Sequence, residues 1–365
     1  MSNKNVLSSG EHAENKICSN RIEWVDIFKG LAIILMVLGH SGSPITIYIY
    51  LFHMPAFMFI SGYTVNVEKY SAFSYIKRKF ITILLPFIVI NFSYIAFYGL
   101  LHEFNILKYV QSIDTFSFDN SIRFIFKYQS TPDLGGATWF LIALFGMEII
   151  YMLIYKMAKI IRLSAAAPFI GIGCGIIGYF FAKRAVQPVP FLLDLAMYGL
   201  MFYSIGSVFS KFKVFEQEID KRFMLIVSVI AMIVLKNFTF MNWPTRSFDF
   251  EVNILSSLAG IFLLYCFSNY FTRSEFLKKL LSSLGRMTLT VLMLHFAMFK
   301  IISFILIVLK LYPPSILKDL VPPAGGGLIW LLYTVFCLLL CFLLSTISKK
   351  THITNFIING KLPKL

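Results

Sequence analysis

The stretch Asp26-Ile-Phe-Lys-Gly-Leu-Ala-Ile-Ile-Leu-Met-Val-Leu-Gly-His40 decides the fold. It opens with an acid and a base, runs apolar for roughly ten residues and ends on a histidine, the pattern of a membrane helix with charged flanks. Lys29 and His40 are eleven positions apart. At about 100° per residue they share one helix face, roughly 16 Å apart along the axis. An imidazole on a membrane helix is costly to keep, which makes it a functional-site candidate.

The rest of the composition extends that reading. The chain has 365 residues, 58% of them hydrophobic and only 14% charged. Soluble domains carry about 25% charged residues, so the expected fold is all-α, a polytopic integral membrane protein. The 39 Phe and 18 Tyr suit lipid-facing helices with interfacial belts. The net charge of +15 is spread over short segments between apolar runs, with no RNA-binding signature. The positive-inside rule accounts for it, so the implied partner is the lipid bilayer and not nucleic acid. Five cysteines form no CxxC pair and no disulfide framework; Cys337 and Cys341 read as small packing residues one turn apart.

Hydropathy gives about ten spans, near 25–41, 47–65, 80–101, 137–156, 164–182, 191–210, 223–240, 252–271, 287–309 and 327–347. The first 24 residues lack the ordered basic, apolar and small-residue regions of a signal peptide, so 1–24 is expected to be a cytoplasmic tail. A transmembrane domain then covers 25–347, and 348–365 forms a second cytoplasmic tail. Most of the 33 Lys and Arg fall on one set of alternate loops, which predicts both termini in the cytoplasm. The long external segment 102–136, with Asp114, Asp119, Asp133 and Gly135-Gly136, is the expected contact region for an extracytoplasmic substrate.

This topology sets Lys29 near the inner surface and His40 in the outer half. A second histidine opens the next span, in Leu51-Phe52-His53-Met54-Pro55, which continues to Phe59-Ile60-Ser61-Gly62-Tyr63. The link 42–46 is short, so both histidines lie toward the outer end of one hairpin. Imidazole titrates near pH ~6.5, which suits general-base work on a hydroxyl. No Asp, Glu or Cys stands beside them at ligand spacing, so no metal site is expected. There is no Walker loop, Rossmann fingerprint, HExxH or Gly-x-Ser-x-Gly elbow. Glu148 and Asp194 are acids within spans and must face protein or water, without an assigned role.

Taken in order, Asp26…Lys29-Gly30…His40 and Phe52-His53-Met54-Pro55…Ser61-Gly62-Tyr63 resemble the membrane-bound acyltransferase family 3. The resemblance is nearest to its fucose 4-O-acetylase-like sugar O-acetyltransferases. It continues through Tyr75-Ile-Lys-Arg-Lys-Phe80 ahead of Pro86, Thr138-Trp139-Phe140-Leu141, Gly199-Leu-Met-Phe-Tyr-Ser-Ile-Gly206 and Leu284-Gly285-Arg-Met-Thr288…His295. The basic residue separated from the histidine by ten others, more often Arg in the family, is Lys29 here. A second basic residue often found a turn before the proline is replaced by Thr82.

The resemblance implies transfer of an acyl group, usually acetyl, from cytoplasmic acyl-CoA to a sugar hydroxyl of an extracytoplasmic or lipid-linked glycan. Acetyl-CoA is then the donor substrate, with no bound cofactor, in a bacterial plasma membrane. His40 is the expected base, with His53 and Lys29 as its catalytic companions. Asp26, Lys77, Arg78, Lys79, Ser61, Trp139 and His295 are the expected substrate-binding residues. Arg78 offers a bidentate grip on a pyrophosphate and the lysines add point charge. Trp139 opens the fourth span, where an aromatic can stack on a sugar. A carrier or flippase for glycans is the alternative, argued against by the few intramembrane acids and the lack of paired broken helices.

Overall fold

Helix α1 (Glu23–His40) runs through the middle of the molecule. The computed structural model describes residues 22–349 except 111–115, 129–130, 132, 186–188, 218–219, 239–240 and 323–326. The two expected tails therefore lie almost wholly outside the described residues, as does Asp114. Of the described residues, 79% are helical. Among the described residues no strand forms, and the one isolated bridge joins Asn242 to Ser247.

After α1 come α2 (Thr46–Tyr50), α3 (His53–Tyr63) and α4 (Ala72–Lys79), which continues through a π turn, Phe80–Leu84, into α5 (Leu85–Glu103). Short helices α6 (Leu107–Val110) and α7 (Phe118–Tyr128) precede α8 (Trp139–Ile160). Then follow α9 (Ala167–Arg184), α10 (Leu193–Lys211), α11 (Lys221–Leu235) and α12 (Phe250–Phe271). The chain closes with α13 (Glu275–Gly285), α14 (Thr288–Val308) and α15 (Ile329–Ser348).

Seven of the described helical segments are long and apolar enough to cross a membrane: Ala72–Glu103, Asp133–Ile160, Ser164–Arg184, Pro190–Lys211, Phe250–Phe271, Thr288–Val308 and Ile329–Ser348. They coincide with seven of the spans expected from hydropathy, and the protein is an all-α, multi-pass membrane protein. The remaining three expected spans have a different build. Helix α1 has 18 residues but carries Glu23, Asp26 and Lys29 in its first turns. The second breaks at Leu51-Phe52 into α2 and α3. Helix α11 has 15 residues, about 22 Å of helix against a hydrocarbon core of about 30 Å.

Each break has a local cause. Pro55 sits in the first turn of α3, where its missing N–H has no intrahelical partner to lose, so the helix starts at His53. The carbonyl of Leu51 left at the break accepts from Ser256 Oγ at 3.1 Å. The Phe52 ring lies where a Cβ on Gly260 would stand. Pro86 likewise cannot donate to the turn before it, and the ladder relaxes through the π turn. Lys77-Arg78-Lys79 thus end α4 within one continuous rod and not in a loop ahead of the third span.

Burial sorts the helices into inner and outer ones. α1 packs against α3, α12, α13, α14 and α15. α10 packs against α3, α8 and α9, and its apolar window is 72% buried against 33% for the window of α9. The outer helices show lipid-facing Phe, Ile and Leu, such as Phe180 and Ile177 on α9. Two crossings bring backbones together. At α1/α13 a Cβ on Gly30 would meet the Leu281 carbonyl, and one on Gly285 the Asp26 carbonyl. At α3/α10 Gly62 faces the Tyr203 carbonyl and Gly206 the Phe59 carbonyl. Small residues at such crossings are how membrane helices gain dispersion contact without a hydrophobic drive between them.

Candidate active site

Two cavities lie along the line from Lys29 to His40. The one at the His40 end has a volume of about 130 Å³ and is lined by Met36, His40, Tyr50, His53, Trp139 and Phe296, among others. Segment 241–244 covers it from the side. The other, of about 280 Å³, is lined by Lys29, Ser61, Tyr70, Tyr75, Arg78, Lys79 and Glu148 with neighbouring residues.

The break before α3 carries His53 to the helix start, where its ring enters the first cavity. His53 Nδ1 lies 3.0 Å from the Ile49 carbonyl. A carbonyl only accepts, so Nδ1 carries the proton and the neutral ring keeps its lone pair on Nε2. His295 follows the same logic: Nδ1 donates to the Val291 and Leu292 carbonyls, each at 3.1 Å. Its Nε2 is buried with no hydrogen-bond partner among the described residues. The His295 ring stacks on His40 with centroids 5.3 Å apart, so the fold unites three histidines from α1, α3 and α14. His40 Nδ1 lies 3.1 Å from Tyr50 Oη, and the Tyr50 ring stacks on His53 at 5.1 Å.

The second cavity gathers three cations against one acid. Lys79 Nζ is 2.6 Å from Glu148, which also accepts from Tyr75 Oη. Arg78 donates to Tyr70 Oη at 2.9 Å, with its guanidinium 5.2 Å from that ring. Ser61 Oγ donates back to the Phe57 carbonyl at 2.8 Å and faces the cavity. One carboxylate leaves a surplus of positive charge, the electrostatics of an anion site.

Of the residues singled out from the sequence, His40, His53 and Trp139 line the first cavity, and Lys29, Ser61, Arg78 and Lys79 the second. His295 stands directly behind His40. Asp26 and Lys77 line neither. Asp26 is buried at the α1/α13 crossing, 4.0 Å from Arg286 Nη1, and Lys77 is exposed. From the expected contact segment, Gly136 reaches the first cavity. Asp119 is instead taken up by Arg123 at 2.7 Å on an exposed face.

Sequence reading missed Tyr50 and the hairpin around Asn242-Trp243-Pro244. The turn-forming run Asn-Trp-Pro-Thr marks that hairpin, but nothing local ties it to a site about 200 residues earlier. It is fastened by the fully buried Asp194, whose Oδ2 lies 2.9 Å from Arg246 Nε, and by Trp243 stacked on Tyr198 at 4.8 Å. Asp194 is therefore a structural anchor for a cavity wall, while Glu148 belongs to the basic cavity.

No curated protein and no solved structure matches the chain. A family model described as an acyltransferase domain, of acyltransferase family 3, matches residues 22–346, nearly all of the described chain and both cavities. The chain belongs to the membrane acyltransferase family 3 and is an acyltransferase.

Proposed function

We propose that the protein transfers an acyl group, most simply acetyl, from acyl-CoA bound at the Lys29 cavity to a hydroxyl of a glycan bound at the His40 cavity. The observation that carries the reading is the placement of both cavities on one helix, a cationic one at Lys29 and a histidine-lined one at Met36 and His40. Arg78, Lys79 and Lys29 hold the CoA phosphates, and the pantetheine arm spans the ~16 Å rise from Lys29 to His40. The thioester carbonyl then lies beside His40. Trp139 and Trp243 offer faces on which a sugar stacks.

In the step, His40 Nε2 takes the proton of the sugar hydroxyl as its oxygen attacks the thioester carbonyl. The C–O bond forms, the C–S bond breaks, and the proton passes from His40 to the departing CoA thiolate. For that, Nδ1–H of His40 must donate to Tyr50 Oη, leaving Nε2 as the base. His53, with its lone pair on Nε2, receives a second acceptor hydroxyl and orients the sugar. The basic loops on the Lys29 side support an enzyme of the bacterial plasma membrane, donor side and both termini in the cytoplasm. A carrier of glycans would leave the thioester intact.

The test is acyl-CoA-dependent release of free thiol in membranes, paired with mass spectrometry of surface glycans for the lost acyl mass. His40→Ala is expected to lower the rate by about 10²–10⁴ at equal protein content, the usual cost of removing a positioned base. Unchanged thiol release by this variant would remove His40 from the chemistry.

A further inference from the structure

The geometry points to a site for the phosphate headgroup of an anionic membrane lipid, between the start of α11 and the end of α12. The cleft there has a volume of about 640 Å³ and is lined by Lys221, Arg222 and Arg273 above Leu225 and Phe267. It shares no residue with either cavity of the acyl-transfer reading and does not depend on that reading.

Several other cations on the same face are ion-paired. Lys79 is paired with Glu148, Lys159 with Glu68, Lys213 with Glu216, and Lys278 with Glu275 and Glu23. Lys221, Arg222 and Arg273 have no carboxylate within ion-pair distance among the described residues. Among the described residues, the acid next to Lys221 in sequence, Asp220, is engaged in capping α11, accepting from the backbone N–H of Arg222 at 2.8 Å and of Phe223 at 3.3 Å. Two of the cations rest on aromatic faces instead: Lys221 Nζ is 5.7 Å from the Tyr265 ring, and Arg273 is 5.9 Å from Tyr270. Such contacts position a cation without neutralising it.

The walls decide the class of ligand. A soluble phosphate needs only the cationic rim. Here the rim stands above Leu225 and Phe267, and the outer surface of α11 continues downward as exposed Phe223, Ile226, Val227 and Ile230. A headgroup phosphate over apolar chains matches that order of layers, and basic clefts between membrane helices recognise such headgroups. The cleft lies on the Lys29 face, because Trp24 at the start of α1 packs edge-on against Tyr265 at 5.2 Å and Phe215 at 5.5 Å. Helix α11 is short for a bilayer, so a headgroup drawn in at Lys221 also meets its abrupt end.

The experiment is native mass spectrometry of protein taken from nanodiscs of phosphatidylcholine with or without phosphatidylglycerol. Wild type is expected to retain one phosphatidylglycerol. The triple variant K221Q/R222Q/R273Q should retain it about 10²-fold more weakly, from roughly fivefold per cation. A K159Q/K213Q variant, altered on the same face outside the cleft, should behave as wild type. The exposed single variant Arg222→Gln, about fivefold weaker, carries the test if the triple variant does not fold. Equal retention by wild type and the Arg222 variant overturns the site. So does equal loss in K159Q/K213Q, which would mean a diffuse surface attraction. Displacement of the lipid by equimolar inorganic phosphate overturns the lipid assignment.

Discussion

At the residue scale, the three histidines differ in what holds them. His53 and His295 give their Nδ1 protons to carbonyls within four residues in sequence, so helix geometry alone sets their tautomer. His40 faces Tyr50 Oη instead, across the α1–α2 link. Tyr50→Phe removes that partner, leaving the His40 ring to populate both tautomers. The expected result is about a fivefold fall in kcat, the worth of one hydrogen bond, with KM for acyl-CoA unchanged. Thiol-release kinetics check it; a loss as large as that of His40→Ala would mean that Tyr50 itself moves protons. Lys29, His40 and His53 were legible in the sequence because polar groups in an apolar run are costly and stand out. Tyr50 was not, since an interfacial tyrosine near a helix end is ordinary in a membrane protein and only the fold turns its hydroxyl to His40.

At the scale of elements, glycine pairs set how closely the central helices approach. Gly285 meets the Asp26 carbonyl so closely that an added Cβ would overlap backbone, and backbone cannot swing aside as a side chain can. Gly285→Ala is expected to push α13 from α1 and destabilise the protein by about 1–3 kcal/mol. Gly173, on α9, has open space where an added Cβ would stand, with no described atom beyond its own helix backbone within 4 Å, so Gly173→Ala should be neutral or stabilising by up to about 1 kcal/mol. Thermal unfolding in one detergent compares the two, and a similar shift for both would mean that the α1/α13 approach does not limit stability. The long spans were legible from hydropathy because each carries enough apolar residues by itself. The break at Leu51-Phe52 was not, because its cause is divided between Pro55 locally and Ser256 and Gly260 on α12, far along the chain.

At the scale of the whole molecule, the two cavities give the protein a direction. α1 and α14 carry His40 and His295 to one level, and α8 carries Trp139 there while its far end, near Lys159, lies on the Lys29 side. Under the proposed function, alternation of basic loops predicts a sign for that direction, with the Lys29 side in the cytoplasm. In that proposed reading, a donor made in the cytoplasm and an acceptor outside meet inside the membrane without either crossing it. In a cysteine-free background, cysteines at Arg162, after α8, and at Lys310, after α14, test the sign, because these ends lie on opposite faces. A membrane-impermeant maleimide added to intact cells should label Lys310→Cys and reach Arg162→Cys only after permeabilisation. The reverse pattern would put the cationic cavity outside, where no acyl-CoA is supplied, and the proposed direction of transfer would fall even if His40 remained the base.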